Sequence, residues 1–164
     1  MDMDNYMKLE ISALSQNEGF ARNAVAAFAL CLNPTLPELS DVKTAVSEAV
    51  TNCIVHAYRH GDGKDMIVIE CRAECKENGG ILHITVSDEG CGIANVERAI
   101  EPFFTTLDEE ERSGMGFTIM QTFMDGFHVD SVKGQGTKIS MFRRMGRIAP
   151  FAGETERERN SADA

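Results

Sequence analysis

The sequence predicts an α+β domain in which helices cover one face of a mixed, largely antiparallel sheet. Several segments alternate apolar and polar residues, as half-buried strands do. Most of these segments are joined by short glycine-containing turns, which is typical of hairpins. The helical segments come in separate runs, which favours a two-layer α/β sandwich. With 164 residues, the chain is expected to form one domain with a substantial core.

The composition argues against two classes of partner and indicates a compartment. The net charge of -10 and the pI of about 4.8 argue against charge-driven binding to nucleic acid or to anionic membranes. No segment approaches the ~20 apolar residues of a membrane span, and the N-terminus lacks a secretory signal. We therefore expect a cytoplasmic protein. The five cysteines show neither zinc nor C-x-x-C spacing, which favours free thiols in a reducing environment.

The first predicted elements are a strand and a helix. Tyr6 to Ala13 alternates cleanly and predicts a half-buried strand. Ser15-Gln-Asn-Glu18 has the form of a capping box, and Asn33-Pro34 would end the helix behind it. Arg22 lies off the apolar stripe of this helix, and its simplest interpretation is a solvated surface arginine. The stripe expected to face the core consists of Phe20, Ala24, Ala27, Phe28 and Cys31.

A second, longer helix is predicted next. Thr35-Leu-Pro-Glu38 offers a capping box with a proline in the first turn, and the apolar pattern continues to about Tyr58. The expected core positions are Leu39, Val42, Val46, Ala49, Val50, Cys53 and Ala57. Glu48, Asn52 and His56 are spaced four apart, so they line up beside this stripe. This row could face a cavity or could be an ordinary solvated helix edge.

A hairpin follows, and it ends in an unusual turn. Met66 to Glu74 and Ile81 to Ser87 alternate, with Asn78-Gly79-Gly80 between them. Asp88 continues the buried face of the second strand, where a carboxylate is costly unless it has a partner. The glycines at 90 and 92 allow a sharp turn or a close approach of backbone to a ligand. A turn in which Asp88 caps its own backbone explains this stretch equally well.

The last part of the domain contains a long connection, a helix and a second hairpin. A short helix over Asn95–Ile100 leads into a poorly periodic stretch that runs to Arg112, and a connection of this length is usually a functional loop. Ser113-Gly-Met-Gly116 opens a helix over Phe117–Met124. The closing hairpin pairs Phe127–Val132 with Thr137–Phe142 through Gly134-Gln-Gly136. The domain is expected to span residues 1–145, and residues 146–164 are polar enough to be a disordered tail.

Three of these features could act together. Glycines at 114 and 116 precede a helix, where free backbone N–H groups and the helix dipole favour an anion such as phosphate. Asn52 suits Mg²⁺ that phosphates already hold. Glu48, one turn earlier, could accept a proton from a hydroxyl. Each feature alone also has a purely structural explanation. Their combination with Asp88 is a far more specific indication of a phosphate-binding site.

Four segments resemble the four conserved boxes of the GHKL ATP-binding superfamily: Glu48–Asn52, Asp88–Gly92, Ser113–Phe117 and Gly134–Thr137. Within that superfamily, the chain is most similar to the small anti-sigma factor/serine kinases, in their sporulation branch. The similarity lies in "FAR" from Phe20, "VSEAVTN" from Val46, "PFFTT" from Pro102 and "ERSGMGFTIM" from Glu111. It spans roughly residues 6 to 143.

This resemblance implies ATP and Mg²⁺ as cofactors and assigns a role to each site residue. Asp88 would receive the adenine amino group, with room for the ring provided by Gly90, Gly92 and Ile93 and a hydroxyl supplied by Thr137. Asn52 would hold Mg²⁺ and Glu48 would be the general base. The phosphates would be wrapped by Ser113, Gly114, Met115, Gly116 and Phe117. Arg112 would reach the terminal phosphate, and the lid over residues 93–112 would contain Thr105 and Thr106.

The resemblance also implies partners. They are a sporulation sigma factor of RNA polymerase and an anti-anti-sigma protein, which docks through Arg22 and is phosphorylated on serine. A homodimer is implied, with no direct contact to nucleic acid or membrane. Two alternatives stay open: a stress-response anti-sigma serine kinase and a module in which ATP sets the shape without phosphoryl transfer. A histidine-kinase catalytic domain fits poorly, because no histidine precedes the ATP-binding segments.

Overall fold

The computed structural model describes residues 3–102 and 115–146. Within these ranges the strands form one five-stranded sheet in the order β1-β2-β3-β5-β4. The strands are β1 (Met3–Ser12), β2 (Met66–Lys76), β3 (Gly79–Asp88), β4 (Gly126–Val132) and β5 (Gly136–Gly146). All the pairings between neighbouring strands are antiparallel. The predicted α+β fold is therefore confirmed, and the described part of the sheet is antiparallel throughout.

The helices supply the second layer. They are α1 (Gln16–Ala29), α2 (Leu36–Asn52), α3 (Val96–Ile100) and α4 (Gly116–Phe123). A 3₁₀ turn, Leu30–Leu32, extends α1, and a π-helical turn, Cys53–Ala57, extends α2. A single cluster of buried side chains from these helices and from the sheet forms the core. The second helix thus reaches the predicted end near Tyr58, but its last turn is wider than an α-helical one.

The two-residue period of the strands determines which face is buried. On β2 the buried side chains are Ile67, Ile69, Cys71 and Ala73, and on β3 they are Leu82, Ile84 and Val86. All of these were expected from the alternation. Asp88 continues the same face at the end of β3 and is only 9% exposed. The fold therefore places a carboxylate at the edge of the core, as the sequence predicted.

The predicted core face of α1 was mostly wrong, although one of its members, Phe28, packs against the core. The structure buries Ala21, Val25 and Ala29, whereas the exposed fraction of Phe20 is 56%. Ala27 and Cys31 are also exposed. Apolar residues surround this helix, so a helical period fits more than one face. The face with small side chains is the one that is buried, since small residues allow α1 to lie close to the elements beneath it.

The two predicted capping boxes have different outcomes. At α2, the Thr35 hydroxyl accepts the Glu38 N–H and the Glu38 carboxylate accepts the Thr35 N–H, so the box is confirmed. At α1, Ser15 has helical backbone angles and makes no capping hydrogen bond, so that prediction was wrong. The Glu18 carboxylate is engaged elsewhere, with the Arg22 guanidinium and the Ser47 hydroxyl. Competing side-chain partners therefore replaced the predicted cap.

Strand β5 continues beyond the predicted end at Phe142 because its last residues pair with the start of β3, and polar side chains also bind them. The Asp125 carboxylate accepts the Arg144 N–H at 2.7 Å, and the Arg143 guanidinium pairs with Asp41 at 2.8 Å. The N–H of Gly146 donates to Glu38 at 3.1 Å. The contacts of Asp41 and Glu38 connect the end of β5 to the first half of α2, and that of Asp125 connects it to the turn between α4 and β4. Gly146, the first residue of the predicted tail, is instead the last residue of β5, and the rest of that tail lies outside the described residues.

No helix in the described ranges has both the length and the apolar character needed to cross a lipid bilayer.

Candidate functional site

The start of α4 lies directly against the polar row of α2. A Cβ atom built on Gly116 would be 3.1 Å from Glu48 Oε2 and 3.3 Å from Asn52 Oδ1. Glu48 and Asn52 are partly buried rather than solvated. The row predicted from four-residue spacing therefore faces another element. The glycine allows the backbone N–H groups at the start of α4 to approach both side chains.

One carboxylate oxygen of Asp88 accepts hydrogen bonds from two separate backbone segments. Its Oδ1 accepts the Gly90 N–H at 2.9 Å and the Thr137 N–H at 3.2 Å. The first bond is the turn cap that the sequence offered as an alternative. The second connects β3 to β5, and the Cys53 thiol forms a further hydrogen bond with the carboxylate. Asp88 therefore caps its own turn and also joins three elements.

Burial raises the pKa of Asp88, because desolvation disfavours the charged carboxylate. Hydrogen bonds from Gly90, Cys53 and Thr137 oppose this effect without cancelling it. The same burial raises the pKa of the Cys53 thiol well above its usual range, with the Asp88 charge adding to it. A buried acid of this kind costs folding free energy, and acids with shifted pKa values are concentrated at functional sites. The electrostatics thus mark Asp88 as a candidate binding residue.

The π-helical turn forms one wall beside Asp88. Its last residue, Ala57, accepts the Cys91 N–H at 3.1 Å. A Cβ atom on Gly90 would lie 2.5 Å from the Ala57 carbonyl oxygen, so only glycine fits there. The next residue, Tyr58, accepts the Glu89 N–H at 2.8 Å and donates its hydroxyl to the Met66 carbonyl at 2.7 Å. The turn from Asp88 to Gly92 is therefore fixed against the end of α2.

Sequence reasoning missed the residues of this wall. Cys53 and Ala57 were predicted only as core residues, and Tyr58 was predicted only as the end of a helix. The contact depends on the wide π turn, closed by the Tyr58 N–H donating to the Cys53 carbonyl at 3.0 Å. The apolar spacing of the helix contains no signal for that turn. The side-chain periodicity could not have located these contacts.

A hydroxyl pair forms the opposite side of the site. The Ser131 and Thr137 hydroxyl oxygens are 2.8 Å apart, and Ser131 Oγ also accepts the Ile93 N–H at 2.8 Å. Ser131 lies opposite Thr137 in the β4–β5 pairing. Ser131 was absent from the predicted site residues. The hairpin register around the Gly134-Gln-Gly136 turn was the signal that could have located it.

Gly92 and Gly136 allow backbone segments to lie in contact. Gly92 has a φ of 66°, and a Cβ atom on it would be 2.1 Å from the Val132 carbonyl oxygen. Gly136 has a φ of 95°, and its Cβ atom would be 2.1 Å from the Asp88 carbonyl oxygen. Both glycines therefore allow the Asp88 turn to pack closely against the β4–β5 hairpin.

We predict that Gly136→Ala will be more harmful than Gly134→Ala, which is its matched control. Both positions have positive φ, so alanine at either should cost roughly 1 to 2 kcal/mol of unfolding free energy. Only Gly136 adds a steric clash, because a Cβ atom on Gly134 meets nothing within 4 Å. Overpacking should add about 1 to 3 kcal/mol. Urea unfolding measures both values, and equal losses would show that the Asp88 contact is unimportant.

Arg22 is held in place rather than freely solvated. Its guanidinium contacts both Glu18 carboxylate oxygens, at 2.8 and 2.9 Å, and the Ser47 hydroxyl also binds Glu18. The Arg22 side chain is 39% exposed. It lines a groove of ≈ 660 Å³ between α1 and α2, and Glu48 lines the same groove. The structure therefore connects Arg22 and Glu48 across one surface.

The remaining predicted site residues divide into two groups. Met115 is the residue before the first turn of α4, and Phe117 in that turn packs against Phe127 with ring centroids 5.8 Å apart. The others lie outside the described residues: Thr105, Thr106, Arg112, Ser113 and Gly114. Among the residues that are described, no group of three or more His, Cys, Asp or Glu side chains could hold a metal ion. Asn52, the predicted Mg²⁺ ligand, lies beside Glu48 and α4.

Comparisons with known proteins agree with this architecture. Residues 11–143 match the family model described as "Histidine kinase-like ATPase domain". The chain is 53% identical to the "Anti-sigma F factor" of Caldanaerobacter subterraneus subsp. tengcongensis, covering 90% of this chain and 99% of that protein. It is also 53% identical to the "Anti-sigma F factor" of Clostridium perfringens strain SM101, covering 87% of this chain and 99% of the relative.

A solved structure shares the fold at much lower identity. The RsbU and RsbW domains of Rv1364c from Mycobacterium tuberculosis align with a TM-score of 0.60 and 16% identity. The alignment covers 90% of this chain and 34% of that one. At this identity the likeness extends to the fold alone.

Proposed function

The chain belongs to the histidine kinase-like ATPase family and, within it, to the anti-sigma F factors, and from this premise we propose an ATP-dependent anti-sigma factor with serine kinase activity. It binds a sporulation sigma factor of RNA polymerase. It phosphorylates a serine of an anti-anti-sigma protein, which competes with the sigma factor. It works in the cytoplasm as a homodimer, and β1, an edge strand of the sheet, is the candidate dimer element.

The observation that carries this proposal is the contact between Gly116 and the polar row of α2. It brings a helix N-terminus within 3.1 Å of a carboxylate oxygen and 3.3 Å of an amide oxygen, measured from a Cβ atom built on the glycine. The helix N-terminus favours phosphate groups. The amide suits Mg²⁺ already bound to phosphates, and the carboxylate can accept a proton. These are the groups that phosphoryl transfer needs.

The other end of the site supports an adenine ring. Asp88 is a buried acceptor, and its turn is fixed where Gly90 packs on Ala57 and Gly92 packs on Val132. A carboxylate in a desolvated position forms strong hydrogen bonds with an amine. The hydroxyl pair of Ser131 and Thr137 supplies further polar contacts near the base. ATP would therefore lie between the Asp88 turn and the start of α4.

The proposed phosphate-binding end of the site includes residues on both sides of the limit of the described range at Met115. Asn52 would bind Mg²⁺, and the first N–H groups of α4, at Gly116 and Phe117, would bind phosphate oxygens. Met115 before them has no side-chain group that could cap the helix. We assign Ser113 and Gly114 to the same phosphate loop, with Arg112 on the terminal phosphate. Thr105 and Thr106 belong to the lid that would cover it.

Glu48 performs the proton transfer in this proposal. Bound ATP supplies the phosphoryl group. Glu48 accepts the proton of the incoming serine hydroxyl at a carboxylate oxygen, so that the serine oxygen can form its bond to phosphorus as ADP leaves. The position of Glu48 in the groove that also contains Arg22 supports a protein substrate. A partner seated on Arg22 would lie beside the base.

Two alternatives have weaker support. A module in which ATP only sets the shape would not need Glu48 beside the phosphate-binding helix. A stress-response anti-sigma kinase would share the fold of the Mycobacterium tuberculosis structure, but fold similarity at 16% identity does not identify a partner. The 53% identity to anti-sigma F factors favours the sporulation assignment. Capture of partners on the immobilised protein with Mg-ATP, followed by mass spectrometry, separates the sporulation assignment from the stress-response one by the sigma factor retained.

The direct test is phosphorylation of the captured anti-anti-sigma protein with Mg-ATP. We expect phosphoserine with the wild-type protein and a loss of about tenfold or more in transfer with Arg22→Ala, because a charged docking contact is worth about 1.5 to 3 kcal/mol. ATP affinity should be unchanged, since Arg22 does not contact the Asp88 turn.

Arg72→Ala is the matched control, because Arg72 forms surface ion pairs on β2, on the face of the sheet away from the core. Its transfer rate should equal that of the wild type. Absence of phosphoserine under all conditions would contradict the kinase proposal, and equal effects of the two arginine substitutions would contradict docking through Arg22.

A further inference from the structure

Two cysteines far apart in the sequence lie in contact. The Cys75 thiol points at Cys31 Sγ at a distance of 3.8 Å, and the two residues are 44 positions apart. Cys31 belongs to the 3₁₀ turn that follows α1, and Cys75 is near the end of β2. Neither lies near the Asp88 turn or the start of α4. The proposed kinase activity does not use this pair.

The two thiols differ in exposure, and their orientation is favourable for reaction. Cys31 is exposed and donates its thiol to the Phe28 carbonyl at 3.2 Å, so a sulfur lone pair is available to Cys75. Cys75 is half-buried, and burial together with the Cys31 thiol raises its pKa. A small oxidant would therefore reach Cys31 first, with Cys75 positioned to react second.

The other cysteines lack such a neighbour among the described residues. Cys53 and Cys71 are buried, and burial raises the pKa of Cys71 to about 12. Cys91 is exposed, and its thiol lies 3.3 Å from the His56 carbonyl oxygen. Cys91 is consequently the natural control for an exposed cysteine without a partner thiol.

We propose that Cys31 and Cys75 form a peroxide-sensitive dithiol that closes to an intramolecular disulfide. The Cys31 thiolate attacks a hydroperoxide and breaks its O–O bond, giving a sulfenic acid and releasing water or an alcohol. The Cys75 sulfur then attacks the Cys31 sulfur, and the sulfenic oxygen leaves as water. Both cysteines together lose two electrons, which the peroxide accepts. Cellular thiols would reverse the reaction, consistent with free thiols in a reducing environment.

The geometry requires only a small movement. A disulfide bond is about 2.05 Å long, so the sulfur atoms must approach by roughly 2 Å. The exposed Cys31 side chain can change its staggered conformer, and this supplies a movement of the required order. The bond would attach the turn after α1 to β2. Because Leu30 in that turn lines the groove that contains Arg22, the bond would also fix one wall of the groove.

The disulfide should leave the nucleotide site unaffected. In the β2–β3 pairing, Cys75 lies opposite Gly80, whereas Asp88 lies opposite Ile67 at the other end of the strands. Eight residues of strand separate the two ends, which is about 26 Å. Oxidation is therefore expected to change stability without changing ATP affinity.

The experiment treats the reduced full-length protein with hydrogen peroxide and maps cysteines by peptide mass spectrometry. We expect a linked peptide pair containing Cys31 and Cys75, its loss on reduction with dithiothreitol, and a melting temperature at least about 4 °C higher in the oxidised protein. Cys91→Ser should behave like the wild type. In Cys75→Ser, Cys31 should accumulate as a sulfenic acid that dimedone traps.

Two results would overturn the proposal. One is oxidation of Cys31 to sulfinic acid in the wild type without a link to Cys75. The other is a link formed mainly between two chains or through Cys91. Since dimedone trapping and peptide mapping do not depend on kinase activity, failure of this proposal is distinct from failure of the proposed function.

Discussion

Replacement of Glu48 by glutamine should lower phosphoryl transfer to the anti-anti-sigma protein by about 10²- to 10⁴-fold. Glutamine keeps the size of the side chain and its contact with the start of α4, but it cannot accept the proton of the serine hydroxyl. ATP affinity should stay within about threefold of the wild type, because the proposed ATP contacts of Asp88 and Asn52 are retained. Single-turnover transfer and calorimetric titration with ATP measure the two quantities.

The matched control for this change is Glu77→Gln. Glu77 is exposed and lies in the turn between β2 and β3, at the end of these strands away from Asp88. Its transfer rate should equal that of the wild type. Normal transfer by the Glu48 variant would remove Glu48 as the base. Loss of ATP binding together with transfer would instead assign Glu48 to nucleotide binding.

Replacement of Asp88 by asparagine should have opposite effects on ATP binding and on stability. ATP affinity should fall by roughly 10- to 150-fold, because hydrogen bonds to a charged group contribute about 1.5 to 3 kcal/mol. Asparagine keeps an oxygen for the Gly90 and Thr137 N–H groups, so the turn should survive. Removal of the buried charge should raise the free energy of unfolding at neutral pH in the absence of nucleotide.

The pH dependence of this gain follows from the direction of the pKa shift. The pKa of Asp88 is raised in the folded protein, so folding favours the protonated carboxyl. Its contribution to stability is present below the pKa of an unfolded aspartate and is lost as pH rises through the folded pKa. The asparagine variant should therefore exceed the wild type in stability at neutral pH and approach it in acid. Urea unfolding across this range tests the sign.

The control for Asp88 is the same change at Asp130 on β4. The Asp130 side chain is 67% exposed and lies beside His128, so Asp130→Asn should change neither ATP affinity nor stability appreciably. Unchanged ATP affinity in a folded Asp88→Asn protein would leave Asp88 as a turn cap. A large loss of stability at neutral pH would show that its charge supports the fold.

The sequence predicted the buried faces of some elements correctly because their apolar pattern fits only one face. Strands β2 and β3 alternate strictly, so their buried faces, including Asp88, had a single assignment. The four-residue spacing of Glu48 and Asn52 likewise fixes a common side of α2. In α1 several faces were apolar, and the pattern could not distinguish them. The packing of α1 in the folded protein determined which of its faces is buried.

The parts of the site that depend on contacts between distant segments could not be read from spacing. The approach of Gly116 to Glu48 follows from how α4 packs on α2, across the long connection before it. The hydrogen bond between Cys53 and Asp88 joins the turn that the sequence singled out to a position predicted only as core. Only the order of motifs along the chain, compared with a known family, indicated that these segments converge.

The π-helical turn makes the site sensitive to chain length as well as to side-chain identity. A π turn contains one residue more than the α-helical turn it replaces. Deleting a single residue between Cys53 and Ala57 would leave an ordinary α-helical turn in place of the wide one. The wide backbone turn, whose last carbonyl accepts the Cys91 N–H, would be lost, although none of the side chains assigned to the site had been altered. In this part of the protein, variation by insertion or deletion is therefore more damaging than most substitutions.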